Sequence, residues 1–172
     1  MSTKHRRYAL KSKQAKKLLN EASKRLKVNM DVLFGSKTNV EVVVADVGNI
    51  YLVNGKPLFF TVKKKVLPTL IFQDFVFHAP KIVVDMGAVP YVCNGADVMA
   101  PGLVRVEGEF SKGDLVLVVD EKYGKPLALG VSLNDAETIR KTKQGAVVKT
   151  VHFVSDKIWN LVKTLAEKAF VL

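Results

Sequence analysis

Apolar residues recur with helical spacing near the start of the chain, over about residues 11–27. At about 100° per residue, one side of such a helix carries Ala15, Leu18, Leu19, Ala22 and Leu26. The opposite side carries Lys13, Lys16, Lys17, Lys24 and Lys27. The pattern predicts an amphipathic helix with a packed face and a cationic face. The cationic face is either a solvated surface, as most charge runs are, or a binding surface for an anionic partner.

The residues that follow have the pattern of strands. The continuous apolar run VEVVVA at 40–45 is typical of a buried strand. Two hairpins are predicted, with strands at 50–53 and 58–62, then at 115–119 and 127–131. Asn54-Gly55 suits the type I′ turn of the first hairpin, and Gly124 with Pro126 marks the turn of the second. A further short strand is expected between Pro80 and Gly87.

The stretch CNGADVMAPGLVR at 93–105 is rich in small and turn-forming residues. Its pattern predicts a strand that ends at Cys93, a turn at Asn94-Gly95, and a short helix over 96–99 that Pro101 and Gly102 stop. Such a corner would present backbone N–H groups that suit a phosphate or a sugar. Tight packing of the chain explains the same glycines, and the spacing is neither GxGxxG nor a P-loop.

The two halves of the chain differ in net charge. The 172 residues carry a net charge of +11 and have an isoelectric point near 9.7, which favours polyanionic partners, nucleic acid first. Residues 1–85 hold sixteen Lys and Arg against six Asp and Glu, a net of +10, whereas the rest has eleven against ten, a net of +1. We therefore expect a basic domain over 1–84 and a near-neutral domain over 85–172.

Candidate catalytic residues do not converge. Cys93 stands in an apolar run, which is typical of a buried and unreactive thiol, and a single cysteine fits a reducing, cytoplasmic setting. The histidines are His5, His78 and His152, and none has metal-ligand spacing with another histidine or with Cys93. Asp97 is more typical of a helix cap, and Trp159 of a packing anchor, than of a catalytic or base-stacking residue. We expect a protein with no catalytic site, no metal and no cofactor.

Three stretches of the second half resemble the PUA domain, a small RNA-binding pseudo-barrel. They are VPYVCNGADVMAPGLVRV (89–106), KGDLVLVVDEKYGKPLALGVS (112–132) and AETIRKTKQGAVVKTVHF (136–153). The motifs VNGKPLFF (53–60), PTL (68–70), GADVMAPGL (95–103) and HFVSDKIW (152–159) extend the resemblance to the malignant T-cell-amplified-sequence family of translation factors, in an archaeal-type form.

This resemblance implies an α+β protein: an N-terminal α/β domain followed by a PUA β pseudo-barrel that a C-terminal helix closes. PUA modules lay RNA against their first helix and a neighbouring strand, often gripping a tRNA acceptor stem or its CCA end. Carried onto this chain, the RNA-binding residues of that corner are Gly95, Ala96, Asp97, Val98, Met99, Pro101, Gly102, Leu103 and Arg105. The phosphate-neutralising lysines are Lys13, Lys16, Lys17 and Lys24.

The resulting hypothesis is a non-catalytic protein that binds tRNA or rRNA during translation initiation or ribosome recycling. The family's eukaryotic members act with a density-regulated protein on the small ribosomal subunit, so both are candidate partners, and no membrane is expected. One alternative is an RNA-binding accessory subunit of a transglycosylase or pseudouridine synthase that modifies tRNA or rRNA. Another is a protein-interaction module whose basic helix binds an acidic partner.

Overall fold

The computed structural model describes residues 5–169 and divides the chain into two compact units. The first unit holds the chain up to Phe72 together with the chain from Asn160, and the second holds Gln73–Trp159. This division differs from the boundary expected at 84/85. The strand Lys81–Val84 pairs with strands of the second unit, which moves the boundary towards the N-terminus.

The first unit is a five-stranded antiparallel sheet with helices. Its strands lie in sequence order: β1 (Arg6–Ala9), β2 (Val40–Ala45), β3 (Gly48–Val53), β4 (Lys56–Val62) and β5 (Lys65–Pro68). Two helices separate β1 from β2, namely α1 (Ser12–Leu26) and α2 (Met30–Phe34).

The local sequence accounts for most of this unit. All five apolar residues of the predicted stripe on α1 are buried, which confirms the amphipathic helix. Asn54 (φ 51°) and Gly55 (φ 86°) both have positive φ, which confirms the predicted tight turn between β3 and β4. Phe59 and Phe60 lie on opposite faces of β4, and both are 0% exposed, so the sheet is covered on both sides there.

The second unit is a six-stranded mixed sheet with short helices. Its strands are β6 (Lys81–Val84), β7 (Val98–Met99), β8 (Leu103–Glu107), β9 (Leu115–Asp120), β10 (Pro126–Ser132) and β11 (Ala146–Phe153). Its helices are α3 (Gln73–His78), α4 (Val89–Val92) and α5 (Ala136–Lys141). The strand order is β7-β11-β10-β9-β6-β8, with β6 parallel to β9 and the other pairs antiparallel. The mixture of helices and strands confirms the α+β class.

The last helix, α6 (Lys157–Ala169), follows Asp156 and crosses the division between the units. The sequence predicted a C-terminal helix that belongs to the pseudo-barrel. The structure groups the chain from Asn160 onwards with the first unit, so only the first residues of α6 belong with the strands of the second unit. Its apolar residues Ile158, Val162 and Leu165 are buried. Their spacing of three and four residues places them on one helical face.

Candidate nucleic-acid interface

The four candidate lysines of the first unit lie on one exposed face of α1. Lys13, Lys16, Lys17 and Lys24 are exposed and line a single shallow groove together with Asn20 and Glu21. The buried stripe on the opposite side orients this face outwards, because residues three and four apart share a side of a helix. The helix therefore presents a dense row of flexible ammonium groups, which matches the cationic face expected from the sequence.

The corner of the second unit differs in local structure from the prediction. The segment VPYV, expected as a strand, is the one-turn helix α4, with Pro90 in its first turn, where no backbone N–H is needed. The helix expected over 96–99 is instead an extended segment, and Val98 and Met99 form β7. A single 3₁₀ turn at Ala100–Gly102 leads from it into β8. The expected helix start, with its outward N–H groups, does not exist.

Strand pairing and side-chain hydrogen bonds hold this corner in place. Met99 pairs with Ala146 of β11, which joins the corner to the sheet edge. The Asp97 Oδ1 atom accepts a hydrogen bond from the Thr150 backbone N–H at 3.0 Å, and the Thr150 hydroxyl donates to the Ala96 carbonyl at 2.9 Å. Asp97 was expected to cap a helix. The structure corrects this expectation, because its carboxylate joins the loop to β11.

Both candidate glycines are explained by close packing. At Gly95, whose φ is +91°, an added Cβ would lie 3.0 Å from the Phe153 ring. At Gly102 an added Cβ would lie 3.0 Å from the Ala88 Cβ. The interpretation as tight packing therefore accounts for both residues, and neither glycine requires a bound ligand to explain it.

Burial sorts the remaining candidates into two groups. Val98 is 2% exposed and belongs to the core of this unit, and Leu103 packs against the same core. The Val98 side chain is therefore not available to a ligand, and the Leu103 side chain is only partly exposed. The exposed candidates are Ala96, Asp97, Met99, Pro101 and Arg105.

The exposed candidates are of mixed chemistry. Met99 is 49% exposed on β7, and the Arg105 guanidinium is held by Glu107, with 3.0 Å between Nε and Oε1. Tyr91 lies beside Ala96, because its carbonyl accepts the N–H groups of Asn94 and Ala96, and its side chain is 70% exposed. Tyr91 is not among the residues predicted from the sequence, because the apolar run VPYV predicts a strand whose side chains belong to the core. We call Tyr91, Ala96, Met99, Pro101 and Arg105 the corner surface.

The residues considered for catalysis have structural roles in the fold. Cys93 packs against the core of the second unit. Burial raises the pKa of its thiol, an effect that the positive charge of Lys125 opposes only in part. The thiol is therefore protonated at neutral pH, which agrees with the interpretation of an unreactive core cysteine.

Asp156 organises the start of α6. Its Oδ1 atom accepts from the Trp159 backbone N–H at 2.6 Å, and its Oδ2 atom accepts from the Phe153 N–H at 3.0 Å. The Nδ1 atom of the fully buried His152 lies 2.8 Å from the same Oδ2 atom. Burial alone would raise the pKa of Asp156, but the hydrogen bond and charge of His152, together with the two N–H groups, lower it overall. The ionised carboxylate can only accept, so His152 Nδ1 donates to it.

The described residues also bear on metal binding and on membrane insertion. Among residues 5–169, no group of three His, Cys, Asp or Glu side chains is arranged to hold a metal ion. No helix in that part of the chain is long and apolar enough to cross a membrane.

The chain matches two families, one on each unit. Residues 80–154 match the PUA domain, and residues 6–73 match a family described as a domain of unknown function, DUF1947. A crystal structure of a PUA domain from Aeropyrum pernix, in complex with tartrate, superposes with a TM-score of 0.82 at 26% identity, covering 95% of this chain and 94% of that one.

Two similar proteins extend over both matches, and a third covers a smaller part of the chain. An uncharacterized protein of Methanocaldococcus jannaschii is 37% identical over 90% of this chain and 96% of its own length. Translation machinery-associated protein 20 of Eremothecium gossypii is 31% identical over 88% of this chain and 86% of its own length. A probable tRNA pseudouridine synthase B of Pyrobaculum arsenaticum is 38% identical, but over 63% of this chain and 32% of the enzyme. The chain therefore belongs to the PUA-domain family of RNA-binding, translation-associated proteins that includes translation machinery-associated protein 20 and the malignant T-cell-amplified sequences.

Proposed function

We propose that this protein is a non-catalytic RNA-binding factor of translation that binds tRNA at its acceptor and CCA end, or a segment of rRNA. The observation that carries the proposal is the corner surface of the second unit. It includes the exposed aromatic ring of Tyr91, the apolar side chain of Met99 on β7, which β11 holds, and the guanidinium of Arg105 on β8. Unpaired RNA ends are recognised by such combinations of stacking and charge.

The lysine face of α1 supplies the part of the affinity that does not depend on sequence. Each lysine that neutralises a phosphate releases a condensed counterion, so affinity falls as salt rises. Phosphate contacts position an RNA without specifying it, whereas contacts to bases and chain ends specify it. We assign the first role to Lys13, Lys16, Lys17 and Lys24 and the second to the corner surface.

The lysine assignment is tested by changing the four α1 lysines together to glutamine and measuring tRNA affinity against salt. We expect weaker binding to every RNA and a log–log salt slope that is flatter by roughly 0.7–0.9 for each phosphate that is no longer neutralised. A matched control changes Lys37, Lys56, Lys112 and Lys168 to glutamine, which removes the same charge from exposed positions elsewhere. Equal slopes for the two variants would exclude α1 as a specific phosphate-binding face.

The corner assignment is tested with Met99→Glu, which places a negative charge on an exposed side chain and leaves the packed glycines untouched. Ser111→Glu, in an exposed turn of the same unit, is the control. Met99→Glu should weaken binding to intact tRNA more than binding to tRNA whose CCA end has been removed. An equal loss on both RNAs would reject recognition of the CCA end, and an unchanged affinity on both would reject the corner surface.

A second candidate function is that of an RNA-binding accessory subunit of an RNA-modifying enzyme. The partial similarity to the pseudouridine synthase favours this candidate. The match covers only 32% of that enzyme, so the rest of the enzyme has no counterpart in the matched part of this chain. Co-purification with a catalytic subunit would support this candidate. Co-sedimentation with the small ribosomal subunit, alone or with a protein partner, would support the first.

A further inference from the structure

We infer that the first unit holds a second RNA site, a groove on its sheet that binds single-stranded RNA by stacking and by phosphate contacts. This inference rests on the proposed RNA-binding function, but it uses a surface distinct from the corner surface. The groove has a volume of about 580 Å³ and lies between the first half of α1 and one face of the sheet. We call it the sheet groove.

The floor of the sheet groove contains two tyrosines in one row. Tyr8 of β1 is paired with Val42 of β2, and Val42 is paired with Tyr51 of β3, so the three side chains point to the same face. Strand spacing places the two tyrosines roughly 10 Å apart across the sheet. Tyr8 is 47% exposed and Tyr51 is half-buried. Tyrosines on a sheet face are a platform on which unpaired bases stack.

The walls of the sheet groove are cationic. Lys17 lines it from α1, and Lys63 and Lys64 line it from the turn between β4 and β5. Among the described residues that line the groove, Glu21 is the one acidic residue, so the groove carries three lysines and one carboxylate. The guanidinium of Arg6 lies 5.8 Å from the centre of the Tyr8 ring and adds positive charge beside it. An aromatic floor with lysines on both sides fits a polyanion that carries planar bases.

The turn that carries two of these lysines has a backbone that lysine disfavours. Lys63 (φ 50°) and Lys64 (φ 64°) both have positive φ, which side chains with a Cβ rarely adopt. The neighbouring hairpin of the same sheet makes its two-residue turn with Asn54-Gly55, the pair that this geometry prefers. Two lysines thus stand where folding alone favours Asn-Gly, and their position on the wall of the groove supplies a reason.

This contrast provides a variant that should fold better and bind worse. Lys63→Asn combined with Lys64→Gly gives the turn its preferred residues, so the melting temperature should stay the same or rise by about 2–4 °C. The same variant should flatten the salt slope for a labelled single-stranded oligouridylate of about ten nucleotides, by roughly 1.4 for two phosphates. Lys37→Asn with Lys56→Asn removes the same charge elsewhere in the unit and is the control.

Stacking is tested separately at Tyr8, on the exposed edge strand. Tyr8→Thr keeps a residue that favours strands but removes the ring, and it should weaken oligouridylate binding roughly tenfold with little change in salt slope. Tyr8→Phe keeps the ring and should bind like the wild type. If both the turn variant and Tyr8→Thr bind the oligouridylate as the wild type does, the sheet groove is not an RNA site, although the proposed function stands. If the wild type binds neither tRNA, rRNA nor the oligouridylate, the proposed function itself fails.

Discussion

The Asp156 carboxylate should stabilise the second unit more than an ordinary helix cap does. Asp156→Ala removes a cap bond to the Trp159 N–H and also removes the acceptor for the Phe153 N–H and for His152 Nδ1. Loss of a helix cap costs about 1 kcal/mol. A buried donor left without its acceptor costs about 1–3 kcal/mol more, and the His152 side chain is 0% exposed. We therefore expect a loss of roughly 2–4 kcal/mol in the free energy of unfolding.

The matched control is Asp135→Ala. Asp135 caps α5 by accepting from the Thr138 N–H at 2.7 Å, but it lies at the surface and has no buried histidine beside it. Its removal should cost only about 1 kcal/mol. Urea titration followed by Trp159 fluorescence measures both variants. If Asp156→Ala costs no more than Asp135→Ala, the claim that the buried His152 depends on this carboxylate is wrong.

The pH dependence provides a second test of the same interaction. The pKa of Asp156 is lower in the folded protein than its ordinary value, so the folded state favours the ionised carboxylate. Its contribution is therefore complete above the unfolded pKa, about 3.9, and is lost as the pH falls through the lower folded pKa. The stability difference between wild type and Asp156→Asn should shrink below about pH 4. A difference that stays constant down to about pH 2–3 would show that the carboxylate charge is irrelevant.

Three further predictions concern packing and reactivity. Gly95→Val should destabilise the fold by about 1–3 kcal/mol, because φ is positive there and the added side chain would clash with the Phe153 ring. A urea midpoint equal to that of the wild type would contradict this. Gly130→Ala should be more damaging, because its Cβ would overlap a methyl group of Val148 on β11. Recovery of a soluble variant with a wild-type melting curve would refute the packing argument. Cys93 should react with a disulfide reagent more slowly than free cysteine at neutral pH, because burial raises the pKa of its thiol. Lys125→Gln should slow the reaction further, because the charge of Lys125 opposes that rise; a faster reaction in the variant would show that Lys125 does not lower the thiol pKa.

The local sequence was sufficient where neighbouring residues carry the information. The stripe on α1 and the turn at Asn54-Gly55 follow from periodicity and from preferred backbone angles, and the structure confirms both. The strands at 40–45 and 115–119 follow from runs rich in valine and leucine, which are typical of buried strands.

The corner at 89–103 could not be derived in the same way. VPYV has the apolar, β-branched composition of a strand, yet it folds as α4, because Pro90 is tolerated in a first helical turn. Val98 and Met99 form a strand because β11, about fifty residues later in the chain, supplies their hydrogen-bonding partners. Local propensity cannot anticipate a pairing between residues so far apart. The same reason accounts for the domain boundary, since Lys81–Val84 pairs in parallel with β9.

The amino-acid sequence by itself determined the cationic helix, the α+β class, the family and the candidate residues, because these depend on composition, short-range spacing and recognisable motifs. Only the tertiary structure decided which candidates are exposed, that Gly95 and Gly102 are close-packed, and that Tyr91 lies beside Ala96. It also placed Tyr8, Val42 and Tyr51 in one row next to Lys63 and Lys64. Exposure and proximity are set by strand register and by long-range packing, which no local stretch of sequence encodes.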